Sequence, residues 1–198
     1  MNAAITNRDR LLVAARELFL EQGYDASVDA IVSRAAVARQ TFYNHFESKE
    51  SLFAEAVKGC FLDVIVHLDE QPANLRESLK NFARTYHVRA LSAEGIASYR
   101  TACSQALHFP ELVRDMYNNG FGEMMARLAD FLDKAMKRGE LRQTDALFAA
   151  DLLAAMVLGQ ERSRRLFGIA VDESGSGASR VEYVVDGFLR MFAPETAQ

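Results

Sequence analysis

The sequence predicts an all-α protein of about nine helices, and three observations carry that prediction. Apolar residues recur three and four positions apart almost throughout the 198 residues, which is the spacing of one helix face. Only 3 Pro and 11 Gly occur, so those stripes are rarely interrupted. Where they are interrupted, Ser, Thr, Asp or Asn tends to precede the next stripe and Gly or Pro to follow the last, the order that starts and stops helices.

The first helix is predicted over 8–22, with Leu11, Leu12, Ala15, Leu18 and Phe19 on one stripe, Thr6 and Asp9 spaced as a capping box, and Gly23 as the stop. A second, over 28–35, takes Ser27 as its cap and turns Val28, Ile31, Val32 and Ala35 inward. After Ala36-Val37, a third spans 38–45 with Phe42 and Phe46 as core residues. Two short helices across so tight a connection are a helix-turn-helix candidate. Ser48 caps a fourth helix over 49–69, which ends near Gln71-Pro72 and is long enough to join two domains. The predicted division is therefore a head over 1–48 and a second domain over 49–198.

Asn74 and Glu77 open a fifth helix to about 90, and a sixth runs over 95–107. Pro110 suits the first turn of a seventh that reaches Arg138-Gly139, kinked at 118–122. An eighth, over 146–158, carries Asp151 as its one charge, and a burial that complete implies a partner surface. Residues 173–179, Glu-Ser-Gly-Ser-Gly-Ala-Ser, read as a flexible loop. The ninth, over 180–193, places Val181, Val184, Val185, Phe188, Leu189 and Phe192 on one face. Paired with Leu152 and Met156 of the eighth helix and with their two-fold mates, that face would form a four-helix homodimer interface.

Composition excludes several classes. No run of about 20 apolar residues exists, and Met1-Asn2-Ala3-Ala4 lacks the basic-then-apolar start of a signal peptide, so a cytoplasmic protein is expected. Cys60 and Cys103 are too few and too far apart for a disulfide framework or a metal knuckle. His67, His87 and His108 show no close spacing with a second ligand, so neither metal nor cofactor is expected. No nucleophile motif, phosphate loop or paired carboxylates stand out, so no enzyme is expected. The net charge of −4 does not by itself suggest nucleic acid. Nor do residues 1–50, where six bases face seven acids.

Local pattern does. Residues 8–53 contain Arg10-Leu11-Leu12-Val13-Ala14-Ala15-Arg16-Glu17-Leu18-Phe19, then Glu21-Gln22-Gly23-Tyr24, then Ala35-Ala36-Val37, then Thr41-Phe42-Tyr43-Asn44-His45-Phe46 and Ser48-Lys49-Glu50. Over this quarter of the chain the sequence resembles the N-terminal signature of the TetR family of transcription regulators. The resemblance implies an operator-binding head, a larger domain that takes a small-molecule effector, and a homodimer, most often a repressor. Two positions depart from the family pattern: Ala36 stands where a turn glycine is usual, and Ala38 where a Ser or Thr cap is usual. A positive φ at Ala36 would cost about 1 kcal/mol, and the lost cap about 0.5–2 kcal/mol.

If the third helix buries Phe42 and Phe46, it presents Arg39, Gln40, Thr41, Tyr43, Asn44 and His45 outward. Arg can bond guanine O6 and N7, and Gln or Asn the adenine edge, so Arg39, Gln40 and Asn44 are the candidate base readers. By resemblance, Thr41, Tyr43 and His45 contact phosphate. Lys49 and Ser27 sit at helix N-termini, where free N–H groups also favour an anion.

The resemblance places an effector pocket among the fourth to eighth helices. Adaptable or aromatic residues available there are Cys60, Phe61, Tyr86, Tyr99, Cys103, Tyr117, Phe121, Met124, Met125 and Met156, which suit a partly apolar ligand. The alternative is a helical small-molecule carrier or enzyme whose head does not bind DNA, and a basic row neutralised by Glu47 and Asp29 would favour it.

Overall fold

A computed structural model describes residues 5–58, 64, 68, 74–170 and 177–194. Every regular element among them is helical, as predicted. α1 (Asn7–Gln22) starts on the expected capping box: the Thr6 hydroxyl accepts from the Asp9 N–H at 3.2 Å, and the Asp9 carboxylate accepts from the Thr6 N–H at 3.0 Å. Gly23, at φ 67°, ends it and opens one 3₁₀ turn, Gly23–Asp25. α2 (Val28–Ala35) is capped by Ser27, whose hydroxyl accepts from the Ala30 N–H at 3.1 Å. α3 (Arg39–His45) and α4 (Lys49–Lys58) follow. Val64 and Leu68 are also helical, and the rest of 59–73 lies outside the described residues.

α5 (Leu75–Leu91) and α6 (Ala93–Gln105) occupy the fifth and sixth predicted positions. The seventh predicted helix is α7 (Pro110–Tyr117) and α8 (Glu123–Lys137), with the kink realised as a π-helical turn over Asn118–Gly122. α9 spans Ala146–Leu166 and α10 Gly177–Met191. The predicted eighth helix, 146–158, is the first stretch of α9. Gly159 breaks it with φ 49° and ψ −144°, and a second stretch continues to Leu166. That stretch is polar, so it has no apolar stripe to read; Glu161 and Arg165, one turn apart, support it with hydrogen bonds of 2.9 and 3.1 Å.

The chain packs as two compact units. One holds Met1–Cys60 and Ala93–Gly120, the other Phe61–Ser92 and Phe121–Gln198. Packing thus groups 93–120 with the N-terminal helices, which differs from a cut at residue 48. In the first unit Leu11, Ala15, Leu18, Ile31, Phe42 and Leu52 are each 2% exposed or less, and Met116 of α7 joins their core, with Ala102 and Leu112 packed against it. In the second unit α5 packs on α9 and α10, and α8 on α9, around Leu79, Phe82, Leu128, Leu153, Val185 and Phe188.

Candidate nucleic-acid interface

The connection between α2 and α3 is a tight reversal. Ala36 takes the left-handed conformation, φ 51° and ψ 50°; its N–H donates to the Ser33 carbonyl at 3.1 Å, and the Val37 N–H donates to the Val32 carbonyl at 3.1 Å. These two bonds satisfy two of the four carbonyls that the end of α2 would otherwise leave open, those of Val32 and Ser33. Arg10 of α1 adds a third tie, its Nη2 donating to the Ala36 carbonyl at 3.0 Å. No local signal in the sequence marks Arg10 for that role. Ala38 opens α3 without any side-chain cap.

This turn sets the faces of α3. Phe42 is 0% and Phe46 4% exposed, with their ring centroids 6.0 Å apart, while Arg39, Gln40, Tyr43, Asn44 and His45 are exposed and Thr41 is half-buried. The predicted row is one surface. It is not a row of free cations, however. Arg39 Nη1 lies 2.5 Å from Asp29 Oδ1 of α2, and its guanidinium is 6.0 Å from the Tyr43 ring centroid. Tyr43 first, then the Asp29 charge, hold the Arg39 pKa above its ordinary value. The pair is solvent-exposed, so it is weak and screened by salt. Glu47 forms no ion pair with the row among the described residues, so the neutralisation is partial. Gln40 Nε2 donates to Asn44 Oδ1 at 3.2 Å, aligning the two amides one turn apart.

Lys49 is engaged differently from a bare phosphate anchor. It is half-buried, its Nζ donates to the Tyr24 carbonyl at 2.8 Å, and it lies 4.1 Å from the Tyr24 ring centroid. Tyr24 in turn donates its hydroxyl to Glu50 Oε1 at 2.7 Å. Burial, then that bond, push the Tyr24 pKa up, and the same bond is the main cause of the lowered Glu50 pKa. Two ammonium hydrogens of Lys49 remain for another acceptor. The Ser48 cap is reciprocal: its hydroxyl accepts from the Ser51 N–H, and the Ser51 hydroxyl from the Ser48 N–H, both at 3.2 Å. Ser27 is exposed at the start of α2.

The predicted pocket residues fall in both units. Tyr99, Cys103 and Tyr117 are exposed in the first unit. Tyr86, Met124 and Met125 are buried in the second, Phe121 and Met156 are half-buried there, and the Tyr86 ring lies 5.9 Å from Phe82 and 6.5 Å from Phe121. Cys60 and Phe61 lie outside the described residues, as does His67. A cleft of 380 Å³ in the second unit is lined by Leu68, Arg127, Asp130, Phe131 and Lys134, none of them among the predicted pocket residues.

The predicted dimer face is divided. Val181, Val185, Phe188 and Phe192 are buried within the chain's own unit, because α10 turns them onto α5 and α9. Leu152, Met156, Val184 and Leu189 are half-buried.

Comparison with known proteins bears on the whole chain. The family described as "Bacterial regulatory proteins, tetR family" matches residues 11–56, and that described as "AefR-like transcriptional repressor, C-terminal domain" matches residues 77–194. The chain belongs to the TetR family. TetR-family membership extends to solved structures: a TetR-family regulator from Mesorhizobium loti superposes with a TM-score of 0.83 at 26% identity, covering 94% of this chain and 96% of that one. The "Flavonoid-responsive Regulator FrrA" does so with a TM-score of 0.77 at 30% identity, covering 96% and 98%.

Curated relatives match only in part. The "HTH-type transcriptional activator FasR" of Mycolicibacterium smegmatis is 34% identical over 74 residues, 37% of this chain and 31% of that protein. The "Biofilm operon icaADBC HTH-type negative transcriptional regulator IcaR" of Staphylococcus aureus is 33% identical over 70 residues, 34% of this chain and 38% of that protein. The matched stretch thus spans about a third of these relatives' length. Among the described residues no helix is long and apolar enough to cross a membrane.

Proposed function

We propose that this TetR-family protein is a homodimeric repressor that binds a palindromic DNA operator and leaves it when a small molecule occupies its larger domain. The observation that carries the reading is α3 itself, which buries Phe42 and Phe46 and sets Arg39, Gln40, Tyr43, Asn44 and His45 in one exposed row. In this reading Arg39, Gln40 and Asn44 meet base edges, and Thr41, Tyr43, His45, Lys49 and Ser27 meet phosphates. Function then divides the chain into a DNA-binding head over 1–48 and a sensing and dimerising part over 49–198.

The homodimer surface is the outer side of α9 and α10. There the half-buried Leu152, Met156, Val184 and Leu189 adjoin Phe148, Tyr183 and Met191, which are 58%, 74% and 47% exposed. The effector is a partly apolar small molecule; the aromatic and methionine content around Tyr86, Phe121, Met124 and Met125 supports that class, as does the flavonoid response in the name of the solved relative. Ligand binding lowers operator affinity by favouring a dimer geometry whose recognition helices no longer match successive major grooves.

Fluorescence anisotropy on DNA from upstream of the protein's own coding sequence tests the reading. Specific, steeply salt-dependent binding is expected, and Arg39→Ala should weaken it by about 1–3 kcal/mol with relaxed preference at one base pair. Equal affinity for a scrambled duplex would reject an operator. Native mass spectrometry of purified dimer tests for a carried ligand.

A further inference from the structure

We propose that Asp29 is a positioning residue for base reading, fixing the Arg39 guanidinium over the recognition helix so that it meets a guanine edge rather than a phosphate. The inference rests on the operator reading above and extends it to a residue outside α3.

Both groups sit at helix N-termini, to which their charges are oppositely suited. Asp29 lies in the first turn of α2, where the helix dipole favours an anion, and that turn is also capped by Ser27. Arg39 is the first residue of α3, where the same dipole disfavours a cation, and the Ala38 cap position offers no oxygen to offset it. A carboxylate 2.5 Å from Nη1 supplies the missing counter-charge at that end. It also limits the side chain on one side, while the Tyr43 ring, 6.0 Å from the guanidinium carbon, limits it on another. Both partners are more than half exposed, so folding gains little from the pair, and its position on the row bears on what the row meets.

The chemistry of the guanidinium gives the pair a use. Its five donors form a rigid planar fork; with Nη1 turned to Asp29, other donors remain for a pair of acceptors such as guanine O6 and N7. An unrestrained arginine at the same place would reach phosphates, which carry no sequence information and lie along every duplex. A phosphate that drew Arg39 away would also face an uncompensated Asp29 charge. Asp29 therefore lowers non-specific affinity and reduces the ordering that specific binding requires of Arg39.

The test is a double-mutant cycle read on DNA: wild type, Asp29→Asn, Arg39→Ala and the double variant, each titrated with the upstream duplex and with a scrambled one. Asp29→Asn is expected to tighten binding to the scrambled duplex, with a salt slope steeper by about one ion. It should reduce the ratio of specific to scrambled affinity by about two- to tenfold. In the Arg39→Ala background the same substitution should leave that ratio unchanged within about twofold. An equal drop in both backgrounds, or none in either, would show that Asp29 acts by repelling phosphate or not at all, and overturns the positioning role alone. Wild type that does not distinguish the two duplexes overturns the operator reading and this inference together.

Discussion

In the first packing unit the paired charges lie on the outside, whereas the second also draws some of its own inward. Arg34 with Glu17 and Glu21, Arg39 with Asp29 and Arg114 with Glu111 all keep more than a third of each side chain exposed. In the second unit the Lys80 side chain is 7% exposed, 3.7 Å from Glu182, and the Glu161 side chain is 10% exposed between Arg165 at 2.9 Å, Arg180 at 3.3 Å and His87 at 3.4 Å. A unit whose ion pairs all lie on its exposed surface should be sensitive above all to cavities, with the Tyr24-bonded Glu50 as its own source of acid sensitivity. One that seals its seam with buried ions should respond to the loss of a single partner and to the protonation of its carboxylates.

Phe42→Ala should give the largest effect. The side chain is fully buried in the head, and its removal should cost about 3–5 kcal/mol. Urea denaturation measures the loss, and hydrogen exchange locates it: amides of 28–46 should exchange faster while those of 123–137 keep their rates. Equal acceleration in both segments would show that the two units do not hold their stability separately.

Glu161→Gln probes the other side of the comparison. It leaves the cations around it without their counter-charge. Full burial would make that cost about 3–5 kcal/mol, but the Arg165 and Arg180 side chains are 30% and 44% exposed, so about 2 kcal/mol is expected. Burial raises the Glu161 pKa, but Arg165 and His87 outweigh it, and the net shift is downward from 4.5. A carboxyl whose folded pKa is depressed stabilises the fold above its unfolded value and loses that contribution as pH falls through the folded one. Wild type should therefore lose stability below about pH 4.5 more steeply than Glu161→Gln. Parallel acid curves for the two proteins would remove Glu161 from the account.

The same contrast explains what could be read from the chain in advance. The head is written in short-range signals: Thr6 with Asp9, Ser27 before α2, Ser48 before α4, and Phe42 and Phe46 four apart on α3. The N-terminal core, by contrast, takes Met116 from a helix some 70 residues beyond α3, and nothing local announces so distant a neighbour. The fate of Lys49 was hidden likewise, because its acceptor is the backbone carbonyl of Tyr24. A single apolar stripe on α10 could not say which of its residues belong to the chain's own core; Val185 and Phe188 do, and Val184 and Leu189 are only half covered. Charged seams leave the least trace, since Glu161 and Lys80 look from sequence like residues of a solvated face.

The smallest expected effect tests whether the head tolerates strain at its turn or has relieved it. Ala36 holds φ 51°, the only positive φ at a non-glycine among the described residues, on the reversal that aims α3. Glycine there would remove a steric cost of about 1 kcal/mol, but it also enlarges the unfolded ensemble, so Ala36→Gly should stabilise by about 0.5 kcal/mol. The three ties on this turn, from Ala36 and Val37 N–H to α2 carbonyls and from Arg10 to the Ala36 carbonyl, involve no Ala36 side-chain atom and should survive the change. Operator affinity should then stay within about twofold, because Ala36 is exposed and its bonded frame is intact. If Ala36→Gly instead loosens DNA binding while raising stability, the methyl group is restricting the angle between α2 and α3, and the departure from glycine serves recognition at the expense of folding.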